Sequence, residues 1–140
     1  MAIFTMTDCT VLVNGVLLSD HGNEITVEDT RDEVDITAFG ATSKAIAKGL
    51  GDASITVKLF QDFAAGKVHA TLQPLIGSTT PVAVEVRATS AARSTTNPAA
   101  LLAGALLTTY RMLDGGMGDA SETTAVFNNA SQAGMTYPTA

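Results

Sequence analysis

The chain has 140 residues, enough for one domain with a real core, and 46% of them are hydrophobic, but only 5% are aromatic and none is tryptophan, so the core is light. Its net charge of −6 is uneven: residues 1–40 carry eight acids and one base, residues 41–140 six acids and seven bases, and the absence of a basic stripe argues against a protein that grips a phosphate backbone. Cys9, the only cysteine, excludes an internal disulfide; no apolar run approaches the ~20 residues of a membrane span, and MAIFTMTDCT lacks signal-peptide regions, so the reading is a soluble chain made in the cytoplasm.

The first element is a hairpin. Val11-Leu-Val and Val16-Leu-Leu18 flank Asn14-Gly15, the pair that supplies two positive φ angles for a type I′ turn. Glu24–Glu28 alternates polar and apolar, with Ile25 and Val27 inward. Val34, Ile36 and Ala38 alternate with Asp35, Thr37 and Phe39, and Ile55, Val57 and Leu59 alternate with Ser54, Thr56 and Lys58. Each is the period-two pattern of a half-buried strand. Between the last two lies a loop over residues 40–52, rich in small residues and carrying Lys44 and Lys48.

A short helix follows over about residues 62–76. Asp62 stands as its N-cap, Ala65, Val68, Leu72, Leu75 and Ile76 recur at helical spacing, and Gly77 is placed to end it. Gly66 and Pro74 weaken it, so it needs a sheet to pack on. Val82, Val84, Val86 and Ala88 give another strand. Thr89–Asn97 is a connection, Leu101–Met112 a buried strand, Leu113–Asp119 a turn and Thr123–Phe127 a last strand. Residues 128–140 have no periodicity and read as a mobile or partner-bound tail. There is no repeat and no linker: residues 1–140 form one mainly β domain, a β-sandwich or barrel of antiparallel strands with one short helix.

No constellation of residues suggests catalysis, a cofactor or a metal. Asp114-Gly-Gly-Met-Gly118 lacks dinucleotide spacing and a following helix. His21 reads as a surface-turn residue, and neither it nor His69 stands at a metal-ligand offset from a cysteine or carboxylate. Cys9 lacks an electropositive setting, and Asp29, Asp32, Glu33 and Asp35 are not spaced as a calcium loop. The long loop is different. Ala41, Ala45, Ile46, Ala47 and Leu50 are apolar, a liability in an exposed loop unless it folds back on its own domain or is buried by another copy. The candidate contact residues toward another copy, in this loop and the strand that leads into it, are Asp35, Thr37, Phe39, Lys44, Ile46, Lys48 and Leu50.

An ordered set of segments from about Val11 to Asp119 resembles the major tail tube proteins of long-tailed, siphovirus-type bacteriophages. The set comprises Leu18-Ser-Asp20 after the hairpin, Glu33–Gly40, Lys48–Asp52, Ser54–Phe60 with Gln61–Ala65, Ala70–Gly77, Thr89–Ala92 and Asn97-Pro98. Gln73 and Ala41–Ala45 depart from it by lacking expected aromatic residues. The resemblance implies a virion tail protein, not an enzyme, forming six-fold rings that stack into a tube through which DNA passes without specific binding. Strands of neighbouring subunits would join into an inner barrel, and the Asp32–Asp52 loop would reach an adjacent ring. It further implies tape measure, tail terminator and distal tail proteins as partners, and no membrane. The polar side of two strands would supply the lumen: Glu24, Thr26 and Glu28 with Ser54, Thr56 and Lys58, an acid being needed near Lys58. A capsid decoration or head–tail joining protein is the alternative.

Overall fold

A computed structural model describes residues 3–140. Its strands are β1 (Thr10–Val13), β2 (Val16–Leu17), β3 (Gly22–Asp35), β4 (Ile46–Phe60), β5 (Val82–Arg87), β6 (Ala99–Tyr110), β7 (Glu122–Asn129) and β8 (Met135–Thr136), with one helix, α1 (Val68–Ile76). All pairings are antiparallel, in the order β2-β1-β5-β6-β7-β4-β3, with β8 added to β6. The mainly β, antiparallel class with one short helix expected from the sequence is the class observed. The sandwich, however, is made by one open sheet that curls. β1 and β3 are five steps apart in the order, about 24 Å in a flat sheet, yet Val11 and Ile25 line one cavity of about 110 Å³.

The turn chemistry explains how the curl begins. Asn14 (φ 50°) and Gly15 (φ 80°) adopt the left-handed angles of the tight turn, and Leu12 pairs with Leu17, Val13 with Val16. The period-two faces then build the core. Val11 and Val13 of β1, Ile55, Val57 and Leu59 of β4, Val84 of β5, Leu102 of β6 and Phe127 of β7 are buried on the concave side. Val68 and Leu72 of α1 close over it.

Four expectations are corrected. The helix begins at Val68, not near Asp62. Asp62 instead holds the turn before it: Oδ1 accepts from the Ala64 N–H at 2.9 Å and its carbonyl from the His69 N–H at 3.0 Å. The loop over residues 40–52 is shorter than read, because β4 starts at Ile46 and pairs with β3 down to Asp35. The half-buried strand of Val34, Ile36 and Ala38 is not buried: Val34 is 49% and Ile36 58% exposed. Alternation over 34–39 marks a surface with no cover within the subunit. Residues 128–140, read as a tail, are fastened: Met135 is buried, β8 pairs with Leu101–Leu102, and the Ala99 N–H donates to the Pro138 carbonyl.

Candidate assembly interface

β3 and β4 extend past the rest of the sheet. β7 supports β4 only as far as Ser54, paired with Asn128; from there to the Asp35–Ile46 pair the two strands continue alone. At ~3.3 Å per residue this arm is about 25 Å long. A two-stranded ribbon is marginal in water by itself, and this one carries large apolar side chains in the open. Leu50 is 83% exposed and Phe39 fully so, with Val34, Ile36 and Ile46 about half exposed.

The candidate contact residues all fall on this arm, Asp35, Ile46, Lys48 and Leu50 on its strands and Thr37, Phe39 and Lys44 in the loop that joins them. Asp35 faces Ile46 across the ribbon and accepts from the Thr37 N–H at 2.9 Å, a bond that holds its carboxyl below the usual range. The Thr37 hydroxyl accepts from the Ala45 N–H at 2.8 Å and so ties the two ends of the turn. Phe39 and Lys44 lie in that turn, while Ile46, Lys48 and Leu50 alternate along one face of β4. Lys48 stands opposite Glu33.

The lumen candidates lie where the hairpin is part of the full sheet. The structure pairs them directly, Glu24 with Lys58, Thr26 with Thr56 and Glu28 with Ser54, on the face away from the core. β7 extends each row, adding Thr124, Val126 and Asn128. Those three were missed, although the alternation of ETTAVFNN already separates them from the buried Thr123, Ala125 and Phe127. The Lys58 ammonium lies 3.7 Å from the Glu24 carboxylate. Both ends are exposed, so the pair contributes little stability, but it supplies the neutralising acid that Lys58 requires. The face is a convex strip of hydroxyl, amide and acidic groups with one ammonium, Lys58, and one apolar side chain, Val126.

Elsewhere the titratable groups are structural. Both ring nitrogens of His21 lie 2.8 Å from a carboxylate, Nδ1 from Asp20 and Nε2 from Asp62. The bonds raise its pKa, the one to Asp20 first, and lower that of Asp20; the Asp62 carboxyl is lowered first by the Ala64 N–H and then by His21. Gln61 Nε2 donates to the Tyr110 hydroxyl at 3.0 Å, which lies 2.6 Å from His69 Nδ1. Glu85, buried on β5, is held below its ordinary value by the Arg93 guanidinium at 2.7 Å. Burial, reinforced by Asp8, pushes the Cys9 thiol up, away from nucleophile behaviour. Among the described residues no group of three His, Cys, Asp or Glu side chains could hold a metal, and no helix is long and apolar enough to cross a membrane.

No protein-family model and no curated protein matches the sequence. Solved structures do. A chain of the virion of a native gene transfer agent particle aligns with a TM-score of 0.73 at 10% identity, covering 94% of this chain and 95% of that one. A chain from the tail of an empty gene transfer agent particle, computed with C6 symmetry, aligns with a TM-score of 0.61 at 12% identity over 87% and 86%. A chain of the sheath–tube complex of an extracellular contractile injection system in the extended state aligns with a TM-score of 0.68 at 11% identity over 99% and 93%. At these identities the likeness is one of fold, and it spans nearly the whole molecule: the chain has a tail-tube fold.

Proposed function

We propose that this chain is the structural subunit of a viral tail tube, assembling as rings of six copies that stack into a conduit through which DNA passes. The observation that carries this reading is the arm. Its two strands extend beyond the sheet with Val34, Ile36, Phe39, Ile46 and Leu50 exposed, a surface that is stable only when another molecule covers it. A second copy is the simplest cover, and the likeness to chains of a C6-symmetric tail and of a sheath–tube complex supports it. The convex polar strip of Glu24, Thr26, Glu28, Ser54, Thr56 and Lys58 then lines the lumen. It presents two carboxylates and one ammonium, a face on which phosphates find no lysine array. Tape measure, tail terminator and distal tail proteins would occupy the interior and the two ends.

Negative-stain microscopy of the purified chain at high concentration tests this. Rings and tubes are the expected result. Trimers or small closed rings without tubes would favour a capsid decoration or head–tail joining protein. A chain that stays monomeric even with its tail partners would overturn assembly altogether.

A further inference from the structure

The arm leaves the body beside the folded-back end of the chain. β8 pairs with β6, and the Ala99 N–H donates to the Pro138 carbonyl at 3.0 Å, so the segment around Tyr137 is fastened on both sides to the body. Arg93 Nη1 adds a contact to the Ala140 carbonyl at 3.3 Å. From this strap the Tyr137 hydroxyl donates to Asp29 Oδ2 at 2.7 Å. The other oxygen of Asp29 accepts from Arg31 Nη1, also at 2.7 Å. The Arg31 guanidinium in turn lies over Gly51 of the facing strand, so closely that a Cβ at Gly51 would displace it.

The place of this contact is specific. Asp29 pairs with Ala53, the first residue of β4 past the last one that β7 supports. Immediately beyond, the β3–β4 register shifts between Arg31 and Glu33, and the facing strand contains Gly49 and Gly51. The extra residue lies on β4, where Gly49 and Leu50 together face Asp32, and a bulge that contains one glycine and adjoins a second is where a ribbon bends most easily. The body thus reaches the arm at its root, next to the weakest point of its backbone.

We infer that Tyr137 and Asp29 form a latch that fixes the direction in which the arm leaves the body, the hinge being the β4 bulge at Gly49–Leu50 opposite Asp32, beside Gly51. Tyr137 is a positioning residue: it acts through Asp29 and Arg31 on an arm whose contact residues lie well beyond it. The bond is charge-assisted, and the Tyr137 hydroxyl is the first cause holding the Asp29 carboxyl below its usual range. For assembly the consequence is entropic. A pre-aimed arm loses less freedom on docking than a swinging one. This last step rests on the arm being the element that docks on another copy; the latch itself does not.

The test measures the arm in single, unassembled subunits of the full chain. Spin labels are placed at Ser43→Cys in the arm turn and Thr79→Cys on the body, in a Cys9→Ser background, and their separation is read by double electron–electron resonance at low concentration. The unmodified latch gives one narrow distance. Tyr137→Phe, which removes only the hydroxyl, broadens it with no change in circular dichroism; Asp29→Ala broadens it as much, and combining the two adds nothing. In assembly, Tyr137→Phe raises the critical concentration for tubes about threefold, the scale of one half-exposed charge-assisted bond. A distribution that is already broad in the parent, or that stays narrow in both variants, overturns the latch. A narrow parent distribution that broadens in the variants, in a chain that never forms tubes, leaves the latch standing and overturns the tube reading instead.

Discussion

At the scale of single residues, His21 is the clearest case of chemistry used for structure. A neutral imidazole has one donor and one acceptor, whereas carboxylates only accept. The contacts of His21 with Asp20 and Asp62, both at 2.8 Å, are therefore satisfied together only by the imidazolium. The bond to Asp20 is the first cause of its raised pKa. The folded value lies above the unfolded one, so the stabilisation is full below about pH 6.5 and is lost as pH rises through the raised value. Asp20 and Asp62 behave oppositely. Their folded values are lowered, so their contribution is present above about pH 3.9 and is lost as pH falls through the lowered values. In an NMR titration the His21 ring should change protonation above the ordinary histidine value, and Asp62→Asn should move it down. A midpoint at or below the ordinary value would mean that the ring is not doubly held. In the core, Phe127 is fully buried at the centre of β7. Phe127→Ala should cost about 3–5 kcal/mol in urea unfolding; a loss below ~1 kcal/mol would show that the centre of the curl lies elsewhere.

At the scale of elements, the arm separates stability from assembly. Lys44→Glu with Lys48→Glu changes exposed charges only, so unfolding should move by less than ~0.5 kcal/mol, while the yield of tubes should fall because each ring repeats the contact. Unchanged tube yield in the double variant would remove the arm from stacking. The arm also shows what the sequence could and could not disclose. The hairpin at Asn14-Gly15, the strands β5, β6 and β7 and the inward face of β4 were legible, because turn residues and period-two patterns report backbone and burial directly. The start of β4 was not. Ala47, Gly49 and Gly51 give no alternation to see, and they are small where Val34 and Arg31 of the facing strand press against the ribbon. The start of α1 was misplaced because Asp62 caps a turn in the same way that it would cap a helix. The fastening of residues 135–140 was invisible for another reason: it depends on Leu101, Ala99 and Asp29, which the chain brings to it from far away. Of the candidate site, the outward side of each strand could be read from alternation, but its rows, and the share of β7 in them, required the register.

At the scale of the whole molecule, charge decides whether the chain can hold a polyanion. With fourteen acids against eight bases and no basic stripe, the chain should bind duplex DNA negligibly at physiological salt. Filter binding that proved tight and salt-sensitive would replace a passive conduit with a nucleic-acid-binding role. The open sheet has a second consequence, for the subunit before it meets any neighbour. β3 is a free edge with fourteen residues, the kind of border on which stray strands template aggregation. It carries six acids and a single base, so two such edges approaching each other repel along their whole length. The acidity concentrated in the first forty residues thus acts as a guard against premature like-with-like pairing, leaving the border open only to a strand of different charge. Because that guard is electrostatic, it fails when the screening length shrinks from about 10 Å at 0.1 M salt to about 3 Å at 1 M: light scattering from a dilute stock should stay flat in low salt and climb in high.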